Sequence, residues 1–238
     1  MKVVILAGGL GTRISEESKM KPKPLIKIGY QPIIWHIMKN YSHFGFNEFI
    51  ICLGYKGYML KKILSKMAHR NKWKVNLIDT GLKTMTGGRI KRISKYLNNE
   101  ENFCMTYGDG ISSVNIRNLV KFHIKHKKVA TMTAIREPNR FGVLSINEKN
   151  SLVREIKEKP KDFINGGFFV LSKKIFKYIE NDQSIFEKET LPKLVKSKEL
   201  ISYKHKGFWS CMDTLRDKKR LNKMWNDKDC PWKLWNEK

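Results

Sequence analysis

Acidic side chains are scarce in this chain. Aspartate and glutamate number 22 against 48 lysines and arginines, a formal net charge of +26 at pH 7. Long apolar runs are missing too: none approaches the ~18 residues that a membrane-crossing helix needs. The chain starts with a charged residue, Lys2, that leads straight into a strand pattern, with no secretory h-region. The four cysteines, Cys52, Cys104, Cys211 and Cys230, show no C-x-x-C spacing. That excludes a cysteine zinc site and a disulfide framework, and it fits a reduced, cytoplasmic protein. No H-E-x-x-H pair, internal repeat, low-complexity segment or linker is present.

Two readings of the excess charge compete. One is a polyanionic partner: nucleic acid, a membrane surface, or a small anion such as a nucleoside triphosphate. The other is a solvated, lysine-rich surface. The excess is mostly lysine, spread from Lys2 to Lys238 with no separate basic tail. That distribution favours the solvated face. No nucleic-acid motif accompanies it, so no nucleic-acid or membrane partner is expected.

A chain of 238 residues suits one α/β domain with a sizeable core. Strand-like runs over Lys2–Leu6, Phe49–Leu53, Lys74–Asp79, Phe103–Tyr107 and Val129–Ile135 alternate with helical patterns, which predicts a largely parallel sheet. Ile33, Ile34, Ile37, Met38 and Tyr41 have helical spacing, with Gly45 as a stop. Further helices are predicted over Tyr58–Met67, through Ile90, Ile93 and Leu97, and from Ile116 to Ile124. After residue 136 the pattern changes to short strands, Gly142–Ile146, Leu152–Ile156 and Phe168–Leu171. Two helices, a strand near Ile201–His205 and a helix over Leu215–Trp225 follow. The expected organisation is a single domain, 1–238. Residues 1–136 form a doubly wound half, and 137–238 add strands that wall one side of a cleft.

Val3-Val4-Ile5-Leu6 is followed by Ala7-Gly8-Gly9-Leu10-Gly11-Thr12-Arg13. A glycine turn at a strand's carboxyl end is where α/β sheets hold phosphates on backbone N–H groups. The two best-known phosphate loops do not fit. G-x-x-x-x-G-K-[ST] is absent, and the G-x-G-x-x-G pattern from Gly9 meets Ile14 at its sixth position. Arg13 is a planar fork for phosphate oxygens. Lys23 stands between the rigid Pro22 and Pro24. Together they offer a cradle, a guanidinium and an ammonium for a triphosphate.

G-G-x-G-T-R followed by P-K-P resembles the signature of the sugar-phosphate nucleotidyltransferases. Tyr107-Gly108-Asp109-Gly110, Arg140-Phe141-Gly142, Glu158-Lys159-Pro160, Ile164-Asn165-Gly166-Gly167, Gly207-Phe208-Trp209 and Met212-Asp213-Thr214 follow in that family's order. The resemblance spans nearly the whole chain. Trp35-His36-Ile37-Met38, Gly54-Tyr55-Lys56-Gly57-Tyr58, the Thr80–Arg89 segment and the closing Cys230-Pro231-Trp232-Lys233-Leu234-Trp235 resemble its cytidylyl-transferring subgroup.

The resemblance implies a Rossmann-like, doubly wound, mixed but mostly parallel sheet of the nucleotide-diphospho-sugar transferase fold. It implies CTP and α-D-glucose 1-phosphate as substrates, Mg²⁺ as cofactor, and CDP-glucose and pyrophosphate as products. The product would serve surface polysaccharide synthesis of the O-antigen kind. Leu6, Ala7, Gly8, Gly9, Gly11, Thr12, Thr80, Gly81, Thr86 and Gly108 would contact the nucleotide. Arg13 would grip its β- and γ-phosphates, and Lys23 its α-phosphate. Asp109 and Asp213 would hold Mg²⁺, and Arg13, Lys23 and Asp109 would carry the chemistry. Lys159 would hold the sugar phosphate. Glu158 and Asn165 would bond the hexose hydroxyls beside Gly142 and Gly167. Read without the family, an aspartate in the position of Asp109 is more often a turn former, and Asp213 is equally a cap for the helix near Leu215. Another base or sugar, a catalytically silent homologue and a basic nucleic-acid binder are the competing readings.

Family members carry a longer segment before the strand at Lys74, where this chain has only Ala68 to Lys74. In the family that region tends to cover the nucleotide and reach a neighbouring subunit. A homo-oligomer is expected, with that departure bearing on it.

Overall fold

A computed structural model describes residues 1–136, 143–148, 150–157 and 162–236. Its centre is a seven-stranded sheet. The strands in chain order are β1 (Val3–Leu6), β2 (Glu48–Leu53), β3 (Lys74–Asp79), β4 (Asn102–Tyr107), β5 (Ala130–Arg136), β6 (Phe163–Ser172) and β7 (Leu200–His205). In space they run β7-β5-β6-β4-β1-β2-β3. β6 is antiparallel to both neighbours and every other pairing is parallel. The sheet is therefore mixed and mostly parallel, as the alternating pattern predicts. The chain leaves β1 toward β2 on one side and reaches β4 on the other. This reversal opens a crevice at the carboxyl ends of β1 and β4, the usual ligand position in an open α/β sheet.

β1 is buried along its whole length, as expected for a strand covered on both faces. Its alternate side chains feed two cores. Val3 and Ile5 join one cluster, and Val4 and Leu6 join the other on the opposite face. Helix α1 (Ile33–His43) turns Ile33, Ile34, Ile37, Met38 and Tyr41 into the first core. It stops where Gly45 N–H bonds the Ser42 carbonyl at 2.9 Å. Helix α4 (Ile116–His126) packs on the same side through Ile116, Leu119 and Val120. Its His123 is buried and bonded to Thr131 and Asn102.

Several boundaries differ from the sequence expectation. The predicted helix through Ile90 and Leu97 divides into α3 (Thr86–Arg92) and a 3-10 turn over Ser94–Leu97. All three apolar residues still reach the second core. Helix α2 runs over Gly57–Asn71 and consumes most of the expected connection. Lys72 closes it in the left-handed region (φ 56°), and Trp73 N–H bonds Ala68 O at 3.0 Å. Only two residues then separate helix from strand. This joint lies at the amino-terminal edge of the sheet, opposite the crevice. The strands Val143–Ile146 and Val153–Lys157 pair as a separate antiparallel hairpin, outside the main sheet. Helix α5 (Leu191–Lys196) leads into β7, and α6 (Leu215–Asn226) ends the regular structure.

The last residues fold back onto α1. Trp232 is fully buried and its indole N–H points at His36 Nδ1, 3.4 Å away. His36 Nε2–H donates to Ile28 O at 3.0 Å, which fixes a neutral tautomer. Trp225 lies edge-on to His36 and Trp235 edge-on to Trp35. Burial lowers the His36 pKa to about 4, against weaker support for the charged form from Ile28 and Gln31. An unfolded histidine titrates near 6.5. Between those values the unfolded chain binds the extra proton, so stability rises with pH. The His36 contribution to the unfolding free energy should fall by about 2–3 kcal/mol as pH drops from 6.5 to 4, and His123, whose pKa burial also lowers to about 4, adds to the fall in the same direction. Urea titrations at several pH values check this, and His36→Gln should reduce the slope of that part of the profile and leave the His123 share.

Candidate active site

The glycine segment leaves β1 where Ala7 N–H bonds Cys52 O at 3.0 Å. Gly11 is left-handed (φ 69°) and opens a 3-10 turn over Thr12–Ile14. A side chain there would meet Ser18 Cβ at 3.1 Å and Lys23 Cβ at 3.2 Å, so glycine is required by conformation and by space. Gly9 faces open space. The turn forms one end of a cavity of about 1030 Å³ over the carboxyl edge of the sheet. That is at the upper end for small-molecule sites, large enough for two substrates side by side.

Asp109 and Asp213 meet in this cavity through backbone register. Asp109 follows β4 and immediately precedes the short strand Gly110–Ser112. That strand pairs antiparallel with Trp209–Cys211, with Cys211 opposite Gly110. Met212 N–H then bonds Asp109 O at 2.9 Å. The ribbon thus sets the two aspartates beside one another. Lys23 joins them: its Nζ lies 2.5 Å from Asp109 Oδ2 and also bonds Asp213 Oδ1. Arg13, largely exposed, reaches Asp213 Oδ2. Lys23 is 8% exposed in a 3-10 turn between Pro22 and Pro24. Burial works to lower its pKa, but Asp109 and then Asp213 outweigh this and hold it above the ordinary lysine value.

The cap of α6 explains why Asp213 is free for this contact. Thr214 is the N-cap residue, and Asp217 completes a capping box with it. The Asp213 carboxylate is left for the cavity. Two converging carboxylates are hard oxygen donors of the kind Mg²⁺ takes. Among the described residues no third His, Cys, Asp or Glu completes a cage. The donor set fits a cation that keeps waters or takes substrate phosphate oxygens.

On the other side of the glycine turn, Arg89 of α3 is buried without a carboxylate partner among its hydrogen bonds. Its Nη1 donates to Leu53 O at 2.9 Å, Thr80 Oγ1 at 2.7 Å and Gly81 O at 2.8 Å. Its Nη2 donates to Gly8 O at 3.1 Å. Burial lowers its pKa, yet a guanidinium stays charged in proteins. One cation thus ties together the loops that follow β1, β2 and β3.

This changes the picture at three positions. Thr80 is fully buried, and its hydroxyl serves Leu53 O and Arg89 away from the cavity lining. Gly81 also lies outside the lining, although Leu82 to Thr86 line it. The space beside Gly8 is taken by the Arg89 guanidinium, since a Cβ would fall 2.2 Å from its Nη1.

The opposite wall comes from β6. Its register against β5 jumps between Asn165 and Phe169, opposite Ala134 and Met132, which bulges the strand at Gly166–Gly167. The bulge turns Asn165 and both glycines into the cavity. Asn165 Oδ1 accepts from Gly167 N–H at 2.8 Å, and Trp209 Nε1–H donates to Gly166 O at 2.6 Å. Among the hairpin's strand residues whose side chains are described, Ser145, Ile146 and Val153 to Ile156, none lines the cavity. Gly142, Glu158 and Lys159 lie outside the described residues.

Leu6, Ala7, Gly8, Gly9, Gly11, Thr12, Arg13, Lys23, Thr86, Gly108, Asp109, Asn165, Gly167 and Asp213 all border this one space. So do Tyr107, Glu187, Arg89 and Trp209, to which sequence reasoning gave no role. Arg89, Tyr107 and Trp209 sat inside noted motifs. Glu187 carried no signal beyond its place in a helical pattern.

The sequence profile of the family described as "Nucleotidyl transferase" matches residues 2–227. This chain is a nucleotidyl transferase. A glucose-1-phosphate cytidylyltransferase of Salmonella typhimurium is 46% identical to it, over 99% of this chain and all of the relative. A probable glucose-1-phosphate cytidylyltransferase of Bacillus subtilis is 40% identical over similar spans. The Salmonella alignment is 258 positions long against 238 residues here, so that relative carries residues with no counterpart in this nucleotidyl transferase. Among solved structures, HddC from Yersinia pseudotuberculosis complexed with GMP-PN superposes with a TM-score of 0.75 at 27% identity, over 94% of this chain and 99% of that one. UDP-glucose pyrophosphorylase complexed with UDP-glucose (TM-score 0.73, 16% identity, 95% and 98% coverage) shares the fold.

The Arg89 anchor generates a stability prediction. Gly8→Ala forces the guanidinium of this nucleotidyl transferase out of its carbonyl nest. The variant should lose about 1–3 kcal/mol, the usual scale for inserting a methyl group into a filled site. Its urea midpoint measured against the wild type checks this.

Proposed function

We propose that this chain transfers a cytidylyl group from CTP to α-D-glucose 1-phosphate, releasing pyrophosphate and CDP-glucose, with Mg²⁺ as the cation. The carrying observation is the convergence of Lys23, Arg13, Asp109 and Asp213 beside a glycine turn at the reversal point of the sheet. The base and sugar follow the relatives that share 40–46% of its sequence.

The nucleophile is a phosphate oxygen of the sugar phosphate. Its second pKa is about 6, so it is ionised at neutral pH and needs no general base. The obstacle is bringing a dianion to an anionic triphosphate. Catalysis then consists of positioning and charge neutralisation. Asp109 and Asp213 would hold Mg²⁺, which supplies Lewis-acid charge stabilisation on phosphoryl oxygens. Lys23, buried and held protonated by its carboxylates, faces the α-phosphate, where charge reorganises. Arg13 is exposed and long enough to leave Asp213 for the β- and γ-phosphates and the departing pyrophosphate. The glycine turn offers backbone N–H groups to the same anion. Asn165, with Glu158 and Lys159, would bind the sugar phosphate. Thr84 and Thr86 are the threonines of their segment that border the cavity, and the Thr86 hydroxyl donates to Glu187.

The test is pyrophosphate release from purified protein with Mg²⁺ and α-D-glucose 1-phosphate, with CTP, UTP, dTTP, GTP and ATP run in parallel. CTP should be turned over best. Asp109→Asn should lower that rate by about 100-fold or more, since several kcal/mol of charge stabilisation depends on the cation site. Preferred release with another nucleotide would overturn the base assignment, and none with any would overturn the activity.

A further inference from the structure

One carboxylate in the cavity has no part in the mechanism above. Glu187 lies on a π-helical turn, Phe186–Thr190, between β6 and α5. Such turns are rare and concentrate at functional sites. Both carboxylate oxygens are held by neutral hydroxyls rather than by a cation. Oε1 accepts from the Tyr107 hydroxyl, and Oε2 from Thr86 Oγ1 at 2.7 Å. The Thr86 oxygen also accepts Phe186 N–H at 2.9 Å, which pins the turn to the start of α3. Burial, and then Glu187 itself, push the Tyr107 phenol well above its ordinary pKa, so it remains a donor.

An ionised carboxylate offers about four lone-pair positions, and two are used. Glu187 borders the cavity. In a cleft built for anions this group repels phosphate, so it must meet a neutral, donating part of a substrate. Hexose hydroxyls, ribose hydroxyls and the cytosine amino group qualify. The surroundings favour the hexose. The Tyr107 ring lies against Gly167 of the β6 bulge, where a Cβ would come within 2.9 Å of it. The Asn165 side chain interacts with the Tyr107 phenol. Glu187 is therefore tied to the wall formed by Asn165, Gly167 and Trp209.

We propose that Glu187 is a specificity residue of the hexose subsite, accepting hydrogen bonds from sugar ring hydroxyls, with Tyr107 and Thr86 as the positioning residues that aim it. This rests on the sugar-phosphate reading above. A carboxylate acceptor selects substrates that present hydroxyl donors at that edge. It penalises analogues lacking them, because the charged group is then left desolvated and unpaired.

The experiment is steady-state kinetics on wild type, Glu187→Gln and Tyr107→Phe, with melting curves to establish folding. The sugar substrates are glucose 1-phosphate and its 2-deoxy, 3-deoxy and 4-deoxy analogues. For Glu187→Gln, kcat/KM for glucose 1-phosphate should fall about 10- to 100-fold, the scale of a lost hydrogen bond to a charged group. Its discrimination against at least one deoxy analogue should shrink by a similar factor, while KM for CTP stays within twofold. Tyr107→Phe should move the same ratio in the same direction by less. If Glu187→Gln does not fold, Tyr107→Phe carries the test alone, and unchanged discrimination in it overturns the proposal. Unchanged discrimination in a folded Glu187→Gln overturns it as well. A collapse of CTP-over-UTP preference with sugar discrimination intact assigns the carboxylate to the base instead. A wild type that releases no pyrophosphate overturns the cytidylyl-transfer reading and this proposal together, whereas the other negative results overturn this one alone.

Discussion

The pairing of Gly110–Ser112 with Trp209–Cys211 is the constraint on which the site depends. It is a two-strand ribbon away from the main sheet, and its register decides which side chains share the cavity. Strand side chains alternate with a period of two, so a slip of one residue would turn a side chain to the other face. Lys23 depends on the ribbon in turn. A nearly buried ammonium between two prolines is tolerable only because two carboxylates stand against it. The glycine turn closes over the same lysine through Gly11. Local backbone geometry thus gathers charges drawn from distant parts of the chain.

Legibility in the sequence follows from the range of each interaction. Buried parallel strands announce themselves as continuous apolar runs, and β1, β2, β4 and β5 could be drawn to within about two residues. The glycine turn and the two aspartates carried ordered motifs. The bulge in β6 was invisible, because it is a mismatch between two strands and neither alone encodes it. Arg89 was visible as a residue but silent in role, since its partners are carbonyls, which every residue owns. Glu187 was hidden for a related reason: its partners, Thr86 and Tyr107, are distant in the chain and have no characteristic spacing. Asp213 could be read as a cap until the structure showed Thr214 and Asp217 already filling that position.

The strong positive charge takes on a local meaning here. Three cations at the cavity are tied to specific acceptors: Lys23 and Arg13 to carboxylates, Arg89 to carbonyls and the Thr80 hydroxyl. Other lysines stand far out, such as Lys74, whose side chain is 81% exposed beside Glu48. Exposed pairs of that kind contribute little to stability. The bulk charge and the site chemistry are therefore separate properties, and the first is a poor guide to the second.

The joint at Lys72 separates the two edges of the sheet in another sense. The loops after β1, β3 and β4 that build the cavity leave the carboxyl edge, while α2 hands over to β3 at the amino edge through a left-handed lysine and one buried tryptophan. No residue of this joint borders the cavity of its own chain. The same joint offers a place to splice in a reporter peptide or to reopen the chain as new termini, because β3 is hydrogen-bonded to only one neighbour. The economy of that turn makes the amino edge a part of this fold that protein engineers can lengthen without replacing a residue that borders the chain's own cavity.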